Sequence, residues 1–195
     1  MRRLMGDPHW RERLINIRGI PDGVEHHLEI RLNGLPGNPE GDIDILLCRR
    51  HHPEDATAIQ VKRIKVNHDS FATGQPTKLG DFQKGVRQAN LLSKMGFAQI
   101  YLYVFIVVDS RSQNNGEYSY EGLSAELRST IDNVISPSSL EDGVGLIKFD
   151  FTQPMDFVPL GVGAYGGSLI RLAVRTEQPK EVTEWVAQVC GSGNA

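Results

Sequence analysis

The chain has only two cysteines in 195 residues, Cys48 and Cys190, and no Cys or His pair completes a zinc-binding set. Two distant cysteines exclude a disulfide-stapled secreted scaffold and suit a reducing, cytoplasmic setting. The longest apolar run, AQIYLYVFIVV at 98–108, is too short to cross a bilayer, and the basic N-terminus MRRLMGDPHWRER lacks the apolar stretch of a signal peptide. No membrane association is expected. There is no G-x-S-x-G elbow and no G-K-[ST], so serine-hydrolase and Walker-type chemistry have no footing. A strong charge of one sign is missing as well: the net charge of −3 argues against coating nucleic acid by bulk attraction.

What is present describes a globular protein. Hydrophobic residues make up 39% and charged residues 23%, too apolar for general disorder, and the length suits one domain over 1–195. Charge is unevenly spread. Residues 49–95 hold nine Lys or Arg against four Asp or Glu, whereas 96–195 hold six against twelve. The acidic C-terminal half suits a homodimer interface or a protein partner.

Periodicity gives the order of elements. PHWRERLINI at 8–17 spaces Trp10, Leu14 and Ile17 as one helical stripe. HLEIRLNG, DIDILLC and AIQVKRIKV alternate as strands, the last two joined by the polar RRHHPEDAT, which together read as an antiparallel meander, with a helix from Asp22 as the alternative for the first. DFQKGVRQANLLSKMGF sets Phe82, Val86, Ala89 and Leu92 on one helical face, with Gly96 as the stop. QIYLYVFIVV, apolar at nearly every position, is expected at the heart of the sheet. EGLSAELRSTIDNVI reads as a helix, VGLIKFDF and SLIRLAV as strands, and PKEVTEWVAQV as a last helix. The fold class is α/β: an αβββαβ core over about 8–108, then an αββα elaboration over about 109–190.

Residues two apart on a strand share a face, so Asp42 and Asp44 point one way, as do Gln60 and Lys62. Adjacent strands can present all four together. A carboxylate and an amide oxygen are hard ligands suited to Mg²⁺ or Mn²⁺, and an ammonium beside them sits where a water would attack a phosphodiester.

GDIDIL followed by IQVKRIKV, in this order of elements, resembles the PD-(D/E)XK nuclease superfamily, the restriction-endonuclease-like fold. The resemblance covers somewhat over half the chain. It implies a central mixed sheet flanked by helices, with Asp44 as principal metal ligand, Gln60 as a second, the Val61 carbonyl as a third, and Lys62 orienting or activating the water. Asp42 is the rival to Asp44. Many members also use a Glu on the first helix, where Glu12 is the acidic residue. Gln60 departs from the commoner Asp or Glu, although Mrr-like restriction enzymes are similar in having Gln-X-Lys. An amide oxygen brings no negative charge, so metal should be held more weakly unless Glu12, Glu29 or substrate phosphate contributes.

The helix after this motif carries Gln83, Lys84, Arg87 and Gln88 away from its apolar stripe, a face suited to phosphates, and Arg63 adds to the basic block. The expected activity is metal-dependent hydrolysis of phosphodiester bonds, with DNA as substrate, in defence, repair or mobile-element processing. The alternative is a catalytically degenerate module that keeps the fold and binds nucleic acid or a protein. Other signals are weaker. His51 and His52 are adjacent on a polar connection, GVGAYGG is followed by a strand pattern instead of a helix, and Tyr101, Tyr103 and Phe105 read as core.

Overall fold

The computed structural model describes residues 24–35, 40–67, 70, 73, 76, 79–108, 123–152 and 165–192. The helix expected over 8–17 lies outside them. Six strands, β1 (Glu25–Arg31), β2 (Asp42–Arg49), β3 (His52–Val66), β4 (Gln99–Val108), β5 (Gly145–Thr152) and β6 (Tyr165–Arg171), form one mixed sheet in the order β1-β2-β3-β4-β5-β6. β1, β2 and β3 run antiparallel to one another. β4 is parallel to β3, β5 is parallel to β4, and β6 returns antiparallel.

Parallel neighbours need crossovers, and helices supply them. Helix α1 (Gly80–Met95) links β3 to β4, α2 (Ala125–Val134) links β4 to β5, and α3 (Lys180–Ser192) follows β6. α1 buries Phe82, Val86, Ala89 and Leu92, the stripe read from the sequence, and ends at Gly96, whose φ of 86° lets its N–H reach the carbonyls of Leu92 and Ser93. Side chains from all three helices pack with Leu46, Ala58, Ile64, Leu102 and Val104 in one core. The opposite face of the sheet holds a second core built on Ile45, Ile59, Tyr101, Tyr103, Phe105 and Phe149. The rings of Phe105 and Phe149 stack at 4.8 Å, so these aromatics serve packing. β4 contributes to both cores, which explains its unbroken apolar sequence.

Three details depart from the sequence reading. RRHHPEDAT is mostly strand: β3 starts at His52, Arg49 pairs with His52, and only Arg50 and His51 turn. Its polar residues fooled the pattern because they pair with one another; Arg49 and Arg175 both meet Asp55. β6 begins within the glycine-rich segment, at Tyr165, and ends at Arg171, whose guanidinium donates to the carbonyls of Val144, Pro137 and Glu141. Finally, Cys48 and Cys190 are joined by a disulfide that ties β2 to α3, a pairing that their separation of 142 residues concealed.

Candidate functional site

β2 and β3 pair through Leu46–Ala58 and Ile45–Ile59, and there the paired register stops. Continued one step, it sets Asp44 opposite Gln60; continued three, Asp42 opposite Lys62. Gln60 and Lys62 keep the period-two face of Ala58, and Asp44 that of Leu46, the face that the helices cover; the alternation of β2 breaks just before Asp44, where Ile43 joins the helix-side core and Ile45 the opposite one.

Side chains take over where the backbone ladder ends. The Val61 N–H donates to Asp44 Oδ2 at 2.7 Å, and Gln60 Nε2 donates to the Asp42 carbonyl at 2.5 Å. A carbonyl can only accept, so this second bond fixes the orientation of the amide and turns Gln60 Oε1 elsewhere. Gln60 is fully buried, and its Oε1 has no hydrogen-bond partner. A buried amide oxygen without a donor costs about 1–3 kcal/mol. It is also a hard oxygen ligand beside a carboxylate, so the residues present fit a cation of the Mg²⁺ class.

Burial raises the pKa of Asp44. The Val61 N–H and the Lys62 ammonium act against that rise, while Asp42 and Glu29 add to it. Asp44 therefore lies within electrostatic reach of Lys62 and of two further carboxylates. Glu29 sits opposite Asp44 in the β1–β2 register, yet the pairing passes from Leu28–Ile45 to Ile30–Ile43 over it, and its φ is 54°. A left-handed conformation at a non-glycine residue costs about 1–2 kcal/mol. Glu29 thus supplies negative charge near the carboxylate where Gln60 supplies none.

Lys62 runs directly beneath α1. A β-carbon on Gly85 would stand 2.5 Å from Lys62 Cγ and 3.2 Å from its Cε, so the bare glycine is what lets the lysine stem pass. The lysine emerges in an open concavity of about 540 Å³ shared with Asp81, Lys84, Arg87, Gln88 and Leu91. Lys84 is held by Asp81 at 3.4 Å, one turn away.

The structure therefore brings Asp42, Asp44, Gln60 and Lys62 together, and sets Lys84, Arg87 and Gln88 around the outlet of Lys62. Gln83 is on the exposed surface of α1, outside that lining. Arg63 is exposed and, one residue from Lys62, belongs to the other face of β3. Val61 touches the acid through its amide. Glu12 lies outside the described residues.

Pattern reading gave no role to Gly85, whose importance lies in a close approach between elements far apart in sequence. A second charged group was also missed: Lys148 Nζ meets Asp132 Oδ1 at 2.7 Å and Arg128 approaches Asp150 at 3.8 Å. Lys148 is in register with Val104, which is in register with Lys62, so this group lies two strands from the site on the same face.

The sequence matches no protein-family model and no curated protein. Among solved structures, the chain is similar to SPO1766, a protein of unknown function from Silicibacter pomeroyi. The likeness covers 85% of this chain and 70% of that one, at 12% identity and a TM-score of 0.34. No helix among the described residues is long and apolar enough to cross a membrane.

Proposed function

We propose that this protein is a metal-dependent nuclease of the PD-(D/E)XK type that hydrolyses phosphodiester bonds in DNA. The observation that carries the proposal is the meeting of a desolvated carboxylate, a buried unpartnered amide oxygen and a lysine stem on one face of two neighbouring strands. The restriction-endonuclease-like topology is part of the same reading. It is supported by three antiparallel strands, then a helix, then a strand parallel to the third.

In this reading Asp44 and Gln60 Oε1 hold Mg²⁺ or Mn²⁺, with the Val61 carbonyl as the third ligand that the resemblance implies. Glu29 and Asp42 add negative charge at Asp44. When bound, the ion supplies Lewis-acid stabilisation of the phosphoryl oxygens. The remaining work falls to the chain. The Val61 N–H holds the Asp44 carboxylate in one orientation. The Lys62 ammonium orients the attacking water and opposes the charge that develops on the phosphate. Lys84, Arg87 and Gln88, beside the outlet of Lys62, position the nucleic-acid backbone without reading bases.

The test is conversion of supercoiled plasmid to nicked or linear product with Mg²⁺ or Mn²⁺, and its loss with chelator. One observation favours a second reading, a non-cleaving module that binds nucleic acid: Gln60 brings no charge and its amide nitrogen is committed to Asp42. DNA binding without cleavage in either metal would establish it.

A further inference from the structure

At the other end of the β1–β2 pair lies a group of residues that the nuclease reading does not use. Glu25 is the register partner of Cys48, and His27, two residues on, shares the face of Glu25. Cys190 of α3 closes over them. One ring nitrogen of His27 and the sulfurs of Cys48 and Cys190 all lie within 4.8 Å of one another. Both cysteines are buried, each 1% exposed. His27 Nε2 is buried without a hydrogen-bond partner, and Glu25 Oε2 stands 3.7 Å from it, beyond hydrogen-bond reach.

An imidazole nitrogen and two thiolates are the donor set of a soft, four-coordinate metal. Ligand atoms around a tetrahedral zinc stand roughly 3.3–3.8 Å apart, so these groups need only small shifts to surround one ion. In the disulfide the sulfurs carry no negative charge and bind no zinc, which leaves the imidazole nitrogen unsatisfied. We infer that His27, Cys48 and Cys190, with the Glu25 carboxylate in the fourth position, form a redox-gated zinc site joining β1, β2 and α3.

The chemistry balances with a dithiol as reductant. Thiolate attack breaks the Cys48–Cys190 bond, two electrons and two protons give two thiols, and the dithiol leaves as its own disulfide. Zn²⁺ then displaces both thiol protons. Glu25 exchanges its 3.5 Å ion pair with Arg50 for the metal. The covalent clamp between β2 and α3 is replaced by a metal clamp that takes in β1 as well, about 13 Å along β2 from Asp44.

Equilibrium binding of Co²⁺ and Zn²⁺ to the full chain tests this, comparing oxidised protein with protein reduced by a phosphine. The reduced form is expected to bind one ion per chain more than the oxidised form, with Co²⁺ giving intense tetrahedral visible bands and a thiolate charge-transfer band; the oxidised form should show neither band. His27→Asn should weaken binding at least about tenfold while the far-ultraviolet circular dichroism is kept. An all-oxygen site at Asp44 cannot produce the thiolate band, so failure here leaves the nuclease reading standing, and the reverse. The inference is overturned if reduced protein lacks the thiolate band, if both redox forms bind alike, or if a chain that unfolds on reduction is not restored by Zn²⁺.

Discussion

Lys62 passes so close beneath Gly85 that a β-carbon at that position would meet Lys62 Cγ at 2.5 Å and Leu102 Cδ1 at 3.0 Å. The path of the Lys62 stem is thereby set by a glycine on the helix that packs over it. Gly85→Ala should push the lysine stem aside and cost about 1–3 kcal/mol through overpacking. The expected result is a cleavage rate at least tenfold lower, measured by single-turnover kinetics beside thermal unfolding. A lowered melting temperature with unchanged cleavage would mean that Gly85 matters to packing alone.

Asp44 offers a pH test whose sign is fixed. Burial raises its folded-state pKa above the unfolded value, so the folded chain holds the proton more tightly. The penalty for ionising Asp44 is absent below the unfolded pKa, grows as pH rises through the folded value, and stays constant above it. Asp44→Asn removes that penalty. It should raise the melting temperature at neutral pH, lose the advantage in acid, and abolish metal-dependent cleavage. Wild-type metal binding and activity should fall as acid protonates Asp44, because proton and cation compete for the same carboxylate.

Gln60→Glu separates the two roles of the amide. A carboxylate cannot donate to the Asp42 carbonyl, so the change removes the 2.5 Å bond and places like charge beside Asp44. Without divalent ions, stability should fall by about 1–3 kcal/mol. With Mg²⁺ it should recover, and metal affinity should exceed that of the wild type. Denaturant titrations with and without Mg²⁺ measure both effects.

The concavity beside α1 predicts electrostatic binding. Lys84→Ala and Arg87→Ala should each weaken DNA binding equally across sequences and reduce the slope of log affinity against log salt by about 1. Both side chains are exposed, so the free energy of unfolding should stay within about 0.5 kcal/mol of the wild-type value. Sequence-dependent losses would point to base readout instead.

Much of this was visible in the residue order. The alternation of DIDILLC and AIQVKRIKV set Asp44, Gln60 and Lys62 on a shared face, because residues two apart on a strand point the same way and a slip of one residue would turn the whole set to the other side of the sheet. The stripe of α1 and the unbroken apolar run of β4 were equally plain. What escaped depends on contacts between distant segments. The polar start of β3 is held by Arg49, Asp55 and Arg175, and no local pattern reports that group. Cys48 meets Cys190 because α3 folds back over β2. Glu29 reads as one more outward strand residue, and only the left-handed turn of its backbone and its influence on Asp44 set it apart. Gly85 looks like a weak point in a helix until Lys62 is placed beneath it.

In the proposed mechanism Lys62 acts on a phosphodiester held at Asp44 and Gln60. Single-turnover cleavage of plasmid DNA by wild type and Lys62→Ala, both saturated with Mg²⁺, tests it most directly. At least a hundredfold loss of rate is expected in the variant, with DNA binding and Mg²⁺ affinity retained. Equal rates in the two proteins, or plasmid left intact by both, would contradict it.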